Sequence, residues 1–339
     1  MNAAKTSKRN LNDTKLLILS GKSPIHATVG DIPGYLNSGD LFVINDSGTL
    51  PSSFKGHVQR TGLPLELRLA SFQGPNVHSL QSWLAFSFGA GDWRIPTEKR
   101  GPPPQIFVGD QIIFGNDLSA EVIQVQFECL VQIRFVSDQL EKALYKYGRP
   151  IQYSYLASDL KIWDQQTIFS GSPISVEPPS AGFPFTWETI FRLKAKGIQI
   201  ASITHGSGIS STGSKHLDSL LPLAEWYEVP PETADLVNYA KKKGQNVVAL
   251  GTTVLRAMES AMRNGRLVAS SGLTLLKIIP GHKVQSATSL FTGIHELGTS
   301  HMEILNAFCG RQIIEAGYQE AKKRGYLAHE YGDLSLLDC

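Results

Sequence analysis

The sequence is poor in cysteine: three in 339 residues, Cys129, Cys309 and Cys339, scattered along the chain. No two stand at metal-ligand spacing, so no metal is expected, and the odd number speaks against a disulfide framework. No apolar run reaches the ~20 residues that a helix needs to cross a bilayer. The polar, basic first residues lack the apolar stretch of a secretion signal. Membrane attachment is therefore not expected, and the cytoplasm is the default compartment. An excess of charge of one sign is missing too, the formal net charge being +2. A dedicated nucleic-acid binder carries more, although a local basic patch is compatible with that balance. Lys99-Arg100, Lys142, Lys146 and Arg149 form a modest basic group, read as a solvated face. Internal repeats and low-complexity tracts are absent. What is abundant is core material, 42% hydrophobic against 18% charged residues, enough for a large core and two domains.

The most ordered pattern lies at Val247-Val248-Ala249-Leu250-Gly251-Thr252-Thr253-Val254-Leu255-Arg256-Ala257-Met258-Glu259-Ser260. Four apolar residues in a row predict a strand buried on both faces, as in a parallel sheet. Gly251 permits a sharp turn, and Thr252 or Thr253 is suited to cap a helix. Val254, Leu255, Met258, Ala261 and Met262 share one helical face, and Gly265 stands where the helix is expected to stop. Glu259 is spaced to pair with Arg256 and Arg263. Such a corner aims backbone N–H groups and threonine hydroxyls at the rim where open α/β sheets hold ligands. Gly251, Thr252, Thr253 and Arg256 are therefore candidate ligand contacts.

Along the rest of the chain, Met1 to Asp13 read as polar and loose. Leu16 to Leu19 and Asp40 to Asp46 read as strands. From about Gly56 alternating apolar residues predict strands with no helix between them, and so a small antiparallel barrel. Ile106 to Val108 and Ile112 to Phe114 are expected to form a hairpin around Gly109-Asp110. Ile123, Val125, Phe127 and Cys129, then Val131, Ile133 and Phe135, alternate, with a shift near Leu130 read as a bulge or bend. A long loop carries Trp93, Arg94 and Gly101-Pro102-Pro103-Pro104, and a helix runs from Asp138 to Tyr147. Further on come a helix capped by Thr186, a strand over Ile198 to Thr204, and a flexible polar loop, His205 to Ser211. A helix from Pro231 to Lys243 precedes the corner. A strand over Leu273 to Ile279, a long helix from Ser300 to Lys323, and a last strand including Tyr331-Gly332-Asp333 complete the chain. The expected architecture is α/β: a mostly parallel sheet flanked by helices, from residues 1–56 and 155–339, with an antiparallel β-barrel domain inserted over 57–154.

At the corner the sequence resembles the S-adenosylmethionine:tRNA ribosyltransferase-isomerase family of queuosine synthesis, which shows GTTSVRTLES there. Asp40 to Ser47 is similar to its DLLVFNDT, and Gln166-Thr167-Ile168-Phe169 to its QTVY. Pro179-Ser180-Ala181-Gly182-Phe183-Pro184-Phe185-Thr186 resembles its PTAGLHFT, and Glu225 to Pro230 its SEWYEVP. Pro280-Gly281, Thr292-Gly293-Ile294-His295 and Tyr331-Gly332-Asp333 resemble its YPG, TNFH and SYGD. The departures lie in the same motifs. The family's GLHF histidine is Pro184, its NDTR arginine is Gly48, and its HVGAGTF loop is His205 to Ser211. Its MHSE histidine falls on Leu223 or a neighbour, and its FHLP has become Ile294-His295-Glu296-Leu297. This pattern suggests a divergent member that keeps the S-adenosylmethionine pocket and has altered the acceptor or the chemistry.

The resemblance implies S-adenosylmethionine used as a ribosyl donor. The sulfonium acidifies the ribose 5′ carbon, a base removes that proton, the sugar rearranges, and adenine and methionine leave. The implied acceptor is the aminomethyl group of 7-aminomethyl-7-deazaguanine in tRNA. Such chemistry needs a base of near-neutral pKa, tolerance of a sulfonium cation and donors for the departing adenine. His295, at the TNFH position, is the first candidate base; His205 is the second, and Glu225 can orient a base or balance the sulfonium. Tyr227, Trp226 and Phe185 are candidates to face adenine or the cation. Ser180, Gly182, Asp46 and Asp333 belong to motifs expected at the cofactor. Two other readings stand beside this one: a paralogue that uses a small-molecule acceptor or lyses S-adenosylmethionine without tRNA, and a non-catalytic ligand- or RNA-binding member. Oligomeric state is not legible.

Overall fold

The computed structural model describes residues 1–6, 13–20, 23–127, 129–295 and 300–339, apart from the side chains of Glu98 and Ser300. Expectations for residues 7–12 and for Glu296-Leu297 fall outside them. The chain opens with β1 (Asn2–Ala3), β2 (Lys15–Leu19), β3 (Ile25–Thr28) and β4 (Leu41–Asn45). Six strands follow: β5 (Ser53–Val58), β6 (Pro64–Phe72), β7 (Ser82–Gly89), β8 (Gln111–Gly115), β9 (Leu118–Phe127) and β10 (Leu130–Val136). Then come α1 (Leu140–Tyr147), α2 (Trp187–Ala195), β11 (Gln199–His205), α3 (Lys215–Asp218), β12 (Glu225–Val229) and α4 (Pro231–Lys242). The corner gives β13 (Val247–Leu250) and α5 (Thr252–Ser260), followed by β14 (Met262–Arg263), β15 (Arg266–Leu267), β16 (Ser270–Thr274) and β17 (Ser289–Gly293). The chain closes with α6 (Ser300–Cys309), α7 (Arg311–Lys323), β18 (Leu327–Ala328) and β19 (Leu334–Leu337).

Nine strands form one sheet in the order β16-β12-β11-β4-β13-β17-β19-β2-β3. Its centre is buried on both faces, which is why β4 and β13 read as unbroken apolar runs. Leu41, Val43, Val247 and Ala249 pack into one layer with α4, α5 and α7. Phe42, Ile44, Val248 and Leu250 pack into the other with α2. The sheet is mixed and not mostly parallel. β11-β4, β4-β13, β13-β17 and β19-β2 are parallel. β11-β12, β12-β16, β17-β19 and β2-β3 are antiparallel. Antiparallel pairs at one end (β11-β12-β16), inside the sheet (β17-β19) and in the β2-β3 hairpin at the other end dilute the parallel centre.

The inserted strands close into an antiparallel barrel, β10-β7-β6-β5-β8-β9, starting at Ser53, ahead of the expected boundary. Its apolar interior continues into Trp226, which meets Phe72 edge-on at 6.1 Å. The Ile209 N–H donates to Ala70 O at 2.9 Å, so β6 is hydrogen-bonded to the loop after β11.

Several local expectations give way to longer-range pairing. Asn2–Ala3 is not loose but pairs with β18. Residues 106–108 form no strand; Gly109 turns the chain into β8, and the hairpin joins β8 to β9. Leu130 begins a new strand antiparallel to β9, and Ile123 and Val125 lie on the outer surface. After β16 the chain leaves strand geometry, and the unforeseen β17 takes the place beside β13. The long helix is broken at Gly310, whose φ is +78°. Gly265 turns the β14–β15 hairpin with Asn264, both at positive φ, so α5 ends earlier than expected. Tyr331-Gly332-Asp333 is the turn before β19. Cys309 and Cys339 form a disulfide that distance in sequence had hidden. Arg100 is buried with Glu66 and Arg68 and is not part of a solvated face.

Candidate functional site

A cavity of about 680 Å³ opens at the carboxyl ends of the parallel strands β11, β13 and β17. Gly251 makes the corner, with φ +100° and ψ 154°, a conformation nearly closed to other residues. The following Thr252 and Thr253 line the cavity, so the first turn of α5, with its unpaired amides and positive dipole end, faces into it. Ser180 joins them from a single turn of 3-10 helix.

His205, at the end of β11, is fully buried and lines the cavity. Asn45 holds it by the backbone: the His205 N–H donates to Asn45 Oδ1 at 3.0 Å, and Asn45 Nδ2 donates to His205 O at 2.9 Å. Neither ring nitrogen has a hydrogen-bond partner among the described residues. Glu225 Oε2 lies 3.5 Å from Nε2. Burial, then the Arg256 charge, lowers the His205 pKa to about 3, so the ring is neutral. Glu225 accepts from the Gly208 N–H at 2.7 Å and from Arg256 Nη1. Arg256 also donates from Nε to Leu276 O at 2.7 Å. Its partner is thus Glu225, at the start of β12, rather than Glu259 on its own helix. Glu259 instead receives the Gln285 and Ser286 N–H groups and contacts His282.

His295 follows β17 and stacks on His301 of α6, with ring centroids 4.5 Å apart. Its Nε2 shares a 3.0 Å hydrogen bond with Thr292 Oγ1. Burial, with further contributions from His301 and His329, holds its pKa well below the usual value. His301 is lowered by burial and by Arg256. The loop from His205 to Ile209 is largely buried, not an exposed flexible segment.

The far side of the cavity was not foreseen from sequence. Tyr153 and Tyr155 lie nearly parallel, with centroids 6.1 Å apart, and Tyr155 packs on His329 at 4.8 Å. Tyr153 Oη donates to Glu177 and Tyr155 Oη to Glu330. Burial raises the Glu177 pKa to about 7, and the Glu330 charge adds to the rise. Glu330 stands where the quoted SYGD motif has its serine. Spacing carried no signal for this group, because its members come from three separate segments.

Other expected contacts serve the frame. Phe185 is buried between Phe42 and Phe291, each 5.3 Å away. Tyr227 is buried with its hydroxyl 3.3 Å from Ser270 Oγ, and Gly182 packs on Thr167. Asp46 accepts from Thr204 Oγ1 at 2.6 Å, and Asp333 from the Lys15 and Leu327 N–H groups at 2.9 and 2.7 Å. These five are not among the described residues lining the cavity. A Cβ on Gly48 would stand 2.8 Å from Gly171 O, so the chain leaves no room for a side chain there. Pro184 is buried.

The family described as "Queuosine biosynthesis protein" matches residues 2–337. The S-adenosylmethionine:tRNA ribosyltransferase-isomerase of Mesorhizobium japonicum is 32% identical, over 95% of this chain and 90% of that protein. The protein of that name from Natranaerobius thermophilus is 28% identical, over 97% and 93%. A crystal structure of S-adenosylmethionine tRNA ribosyltransferase from Thermotoga maritima is similar in fold, with a TM-score of 0.53 and 24% identity, covering 99% of this chain and 96% of that one.

Proposed function

The chain belongs to the queuosine biosynthesis protein family, and from that membership we propose that it transfers and isomerises the ribosyl moiety of S-adenosylmethionine onto 7-aminomethyl-7-deazaguanine in tRNA, releasing adenine and methionine. The observation that carries the reading is the cavity at the carboxyl-end rim, with a helix N-terminus on one wall and the unbonded ring of His205 on another. A buried imidazole without a partner costs about 1–3 kcal/mol, which a ligand hydrogen bond recovers. The α5 amides suit the methionyl carboxylate. Neutral His205, His295 and His301 let a sulfonium enter without meeting cationic imidazoles, and the Glu225 carboxylate lies beside His205. His295 is the base in this reading. Burial keeps it unprotonated at neutral pH but makes it a weaker base than the near-neutral one the chemistry calls for, a deficit that desolvation of the bound sulfonium has to offset. The tautomer that donates Nε2–H to Thr292 leaves Nδ1 to accept the 5′ proton. Arg256 and Glu225 are positioning residues, each engaged with the other.

A second reading, transfer to a small-molecule amine or lysis without tRNA, is favoured by Gly48, which closes the space where the resembling motif carries arginine. Incubation with S-adenosylmethionine alone, and then with tRNA carrying the deazaguanine, separates the two. Release of adenine and methionine only with tRNA is expected; release at the same rate without tRNA would assign the second reading.

A further inference from the structure

We propose that Glu177 and Glu330, held by the stacked Tyr153 and Tyr155, form the acceptor-amine subsite of the cavity, where the two carboxylates bind a primary ammonium and Glu177 takes its proton. The inference rests on the transferase reading above and names the residues that meet its second substrate.

All four side chains line the cavity. Among the described residues neither carboxylate has an ion pair with Lys, Arg or His. Lys277, on the same cavity, donates instead to Leu221 O at 3.3 Å. Two neighbouring carboxylates in a protein-lined site without a cation repel each other and are costly to ionise together. A bound cation removes that cost. The groups facing Glu177 are Tyr153, Tyr155, Ser210 and Glu330, with His329 behind Tyr155. Tyr155 Oη donates to Glu330, and Tyr153 Oη, shared with Ser211 O at 3.3 Å, donates to Glu177, which Ser210 also hydrogen-bonds; these contacts fix the two carboxylates, and the lone pairs they leave face the cavity. The same cavity holds the fully buried His205 with both ring nitrogens unbonded, an independent sign that a polar ligand completes it.

The chemistry matches the need. An alkyl amine is an ammonium at neutral pH, with a pKa of about 10, and has no lone pair to attack with. In the step proposed, an N–H bond of the ammonium breaks and its proton forms an O–H bond on the Glu177 carboxylate. The freed nitrogen lone pair forms the bond to the ribosyl carbon as that carbon's bond to its leaving group breaks, the bonding pair departing with the adenine or methionine that the reaction releases. Glu330 stays ionised and holds the nitrogen. A carboxyl group with a pKa near 7 is matched to that transfer.

The test uses the full chain with S-adenosylmethionine and tRNA carrying 7-aminomethyl-7-deazaguanine. Glu177→Gln is expected to lower adenine release at pH 7 by roughly 10²–10⁴-fold, to leave S-adenosylmethionine affinity within about twofold, and to recover as the pH approaches that of the free amine. A variant rate within about threefold of wild type, or a loss that does not change with pH, overturns the proposal. Should the variant not fold, the wild-type profile decides: kcat/KM, which reports the free enzyme, must rise through an inflection near pH 7, and a flat acidic limb counts against Glu177. Calorimetry with the free bases 7-aminomethyl- and 7-cyano-7-deazaguanine reads the subsite without turnover. Wild type is expected to prefer the amine by about tenfold or more, and Glu330→Gln to lose that preference. No preference in wild type, including no binding of either base, overturns the subsite. An amine preference without tRNA-dependent turnover sinks the transferase reading and leaves the subsite standing; turnover without the preference does the reverse.

Discussion

Glu225 shows how much a single carboxylate decides here: it holds Arg256, receives the Gly208 amide and stands beside His205. Glu225→Ala strands a buried guanidinium, so a loss of about 3–5 kcal/mol in urea unfolding is expected. Stability within 1 kcal/mol of wild type would show that Arg256 finds another partner. The sequence marked both residues as candidates but paired Arg256 with its helix neighbour, because spacing along one helix is all that a sequence displays. Glu177 gives a pH signature. Its folded pKa, about 7, lies above the reference 4.5, so the native state holds this proton more tightly than the unfolded chain. That stability is complete below about pH 4.5 and is lost as pH rises through 7. Glu177→Gln removes the loss, so the ligand-free variant should match wild type near pH 4.5 and exceed it at pH 8, by on the order of 3 kcal/mol. Melting curves at the two pH values check this. His295→Ala should abolish turnover while the melting temperature stays close to wild type; a wild-type rate discards the assignment of the base.

The β13–α5 corner was the most legible element, and it stands where expected. Four buried residues, a glycine and two threonines specify it locally. Gly251→Ala would force a Cβ into a backbone conformation almost reserved for glycine, at about 1–3 kcal/mol. The nearest atom, Ala181 Cβ, is 3.5 Å away, so the penalty is conformational and not steric. The expected result is a lower melting temperature and weaker S-adenosylmethionine binding; unchanged affinity would detach the corner from the ligand. Other elements were misjudged where two local patterns compete. Asn264-Gly265 is at once a helix stop and a hairpin turn, and pairing of Arg263 with Arg266 selects the hairpin. Gly310, at φ +78°, interrupts a continuous helical pattern and folds α7 back against α6 and onto β2.

Across the whole molecule, the joined ends of the chain matter most. β2, β19 and β17 bring residues near 15, 290 and 335 into one sheet, and Cys309–Cys339 ties α6, which carries His301, to the last residue. Closing a span of 30 residues contributes roughly 3–4 kcal/mol by chain entropy. Reductant, or Cys339→Ser, should lower the unfolding midpoint accordingly; an unchanged midpoint would show that the two thiols need not be joined. In a reducing compartment such a pair is held as thiols. The histidines set the acid limit. His205, His295 and His301 all have lowered folded pKa values, so their contribution is present above pH 6.5 and is lost as pH falls, for His205 down through about 3. Acid titration followed by circular dichroism should show destabilisation beginning below pH 6.5, and should show it delayed in His205→Asn. Among the described residues no helix is long and apolar enough to cross a membrane.

The sequence by itself determined whatever depends on neighbours within one or two turns: the buried central strands, the glycine corner, the Thr186 cap, the presence of a barrel and the motif strings that mark the family. Burial on both faces of β4 and β13 leaves a continuous apolar run, and that imprint survives in one dimension. The tertiary structure alone decided the mixed strand order, the Cys309–Cys339 bond, the pairing of Arg256 with Glu225, and the meeting of Glu177 with Glu330 and two tyrosines. Those contacts join segments far apart in the chain, and a polar residue destined for a cavity wall has the same local neighbours as one destined for water.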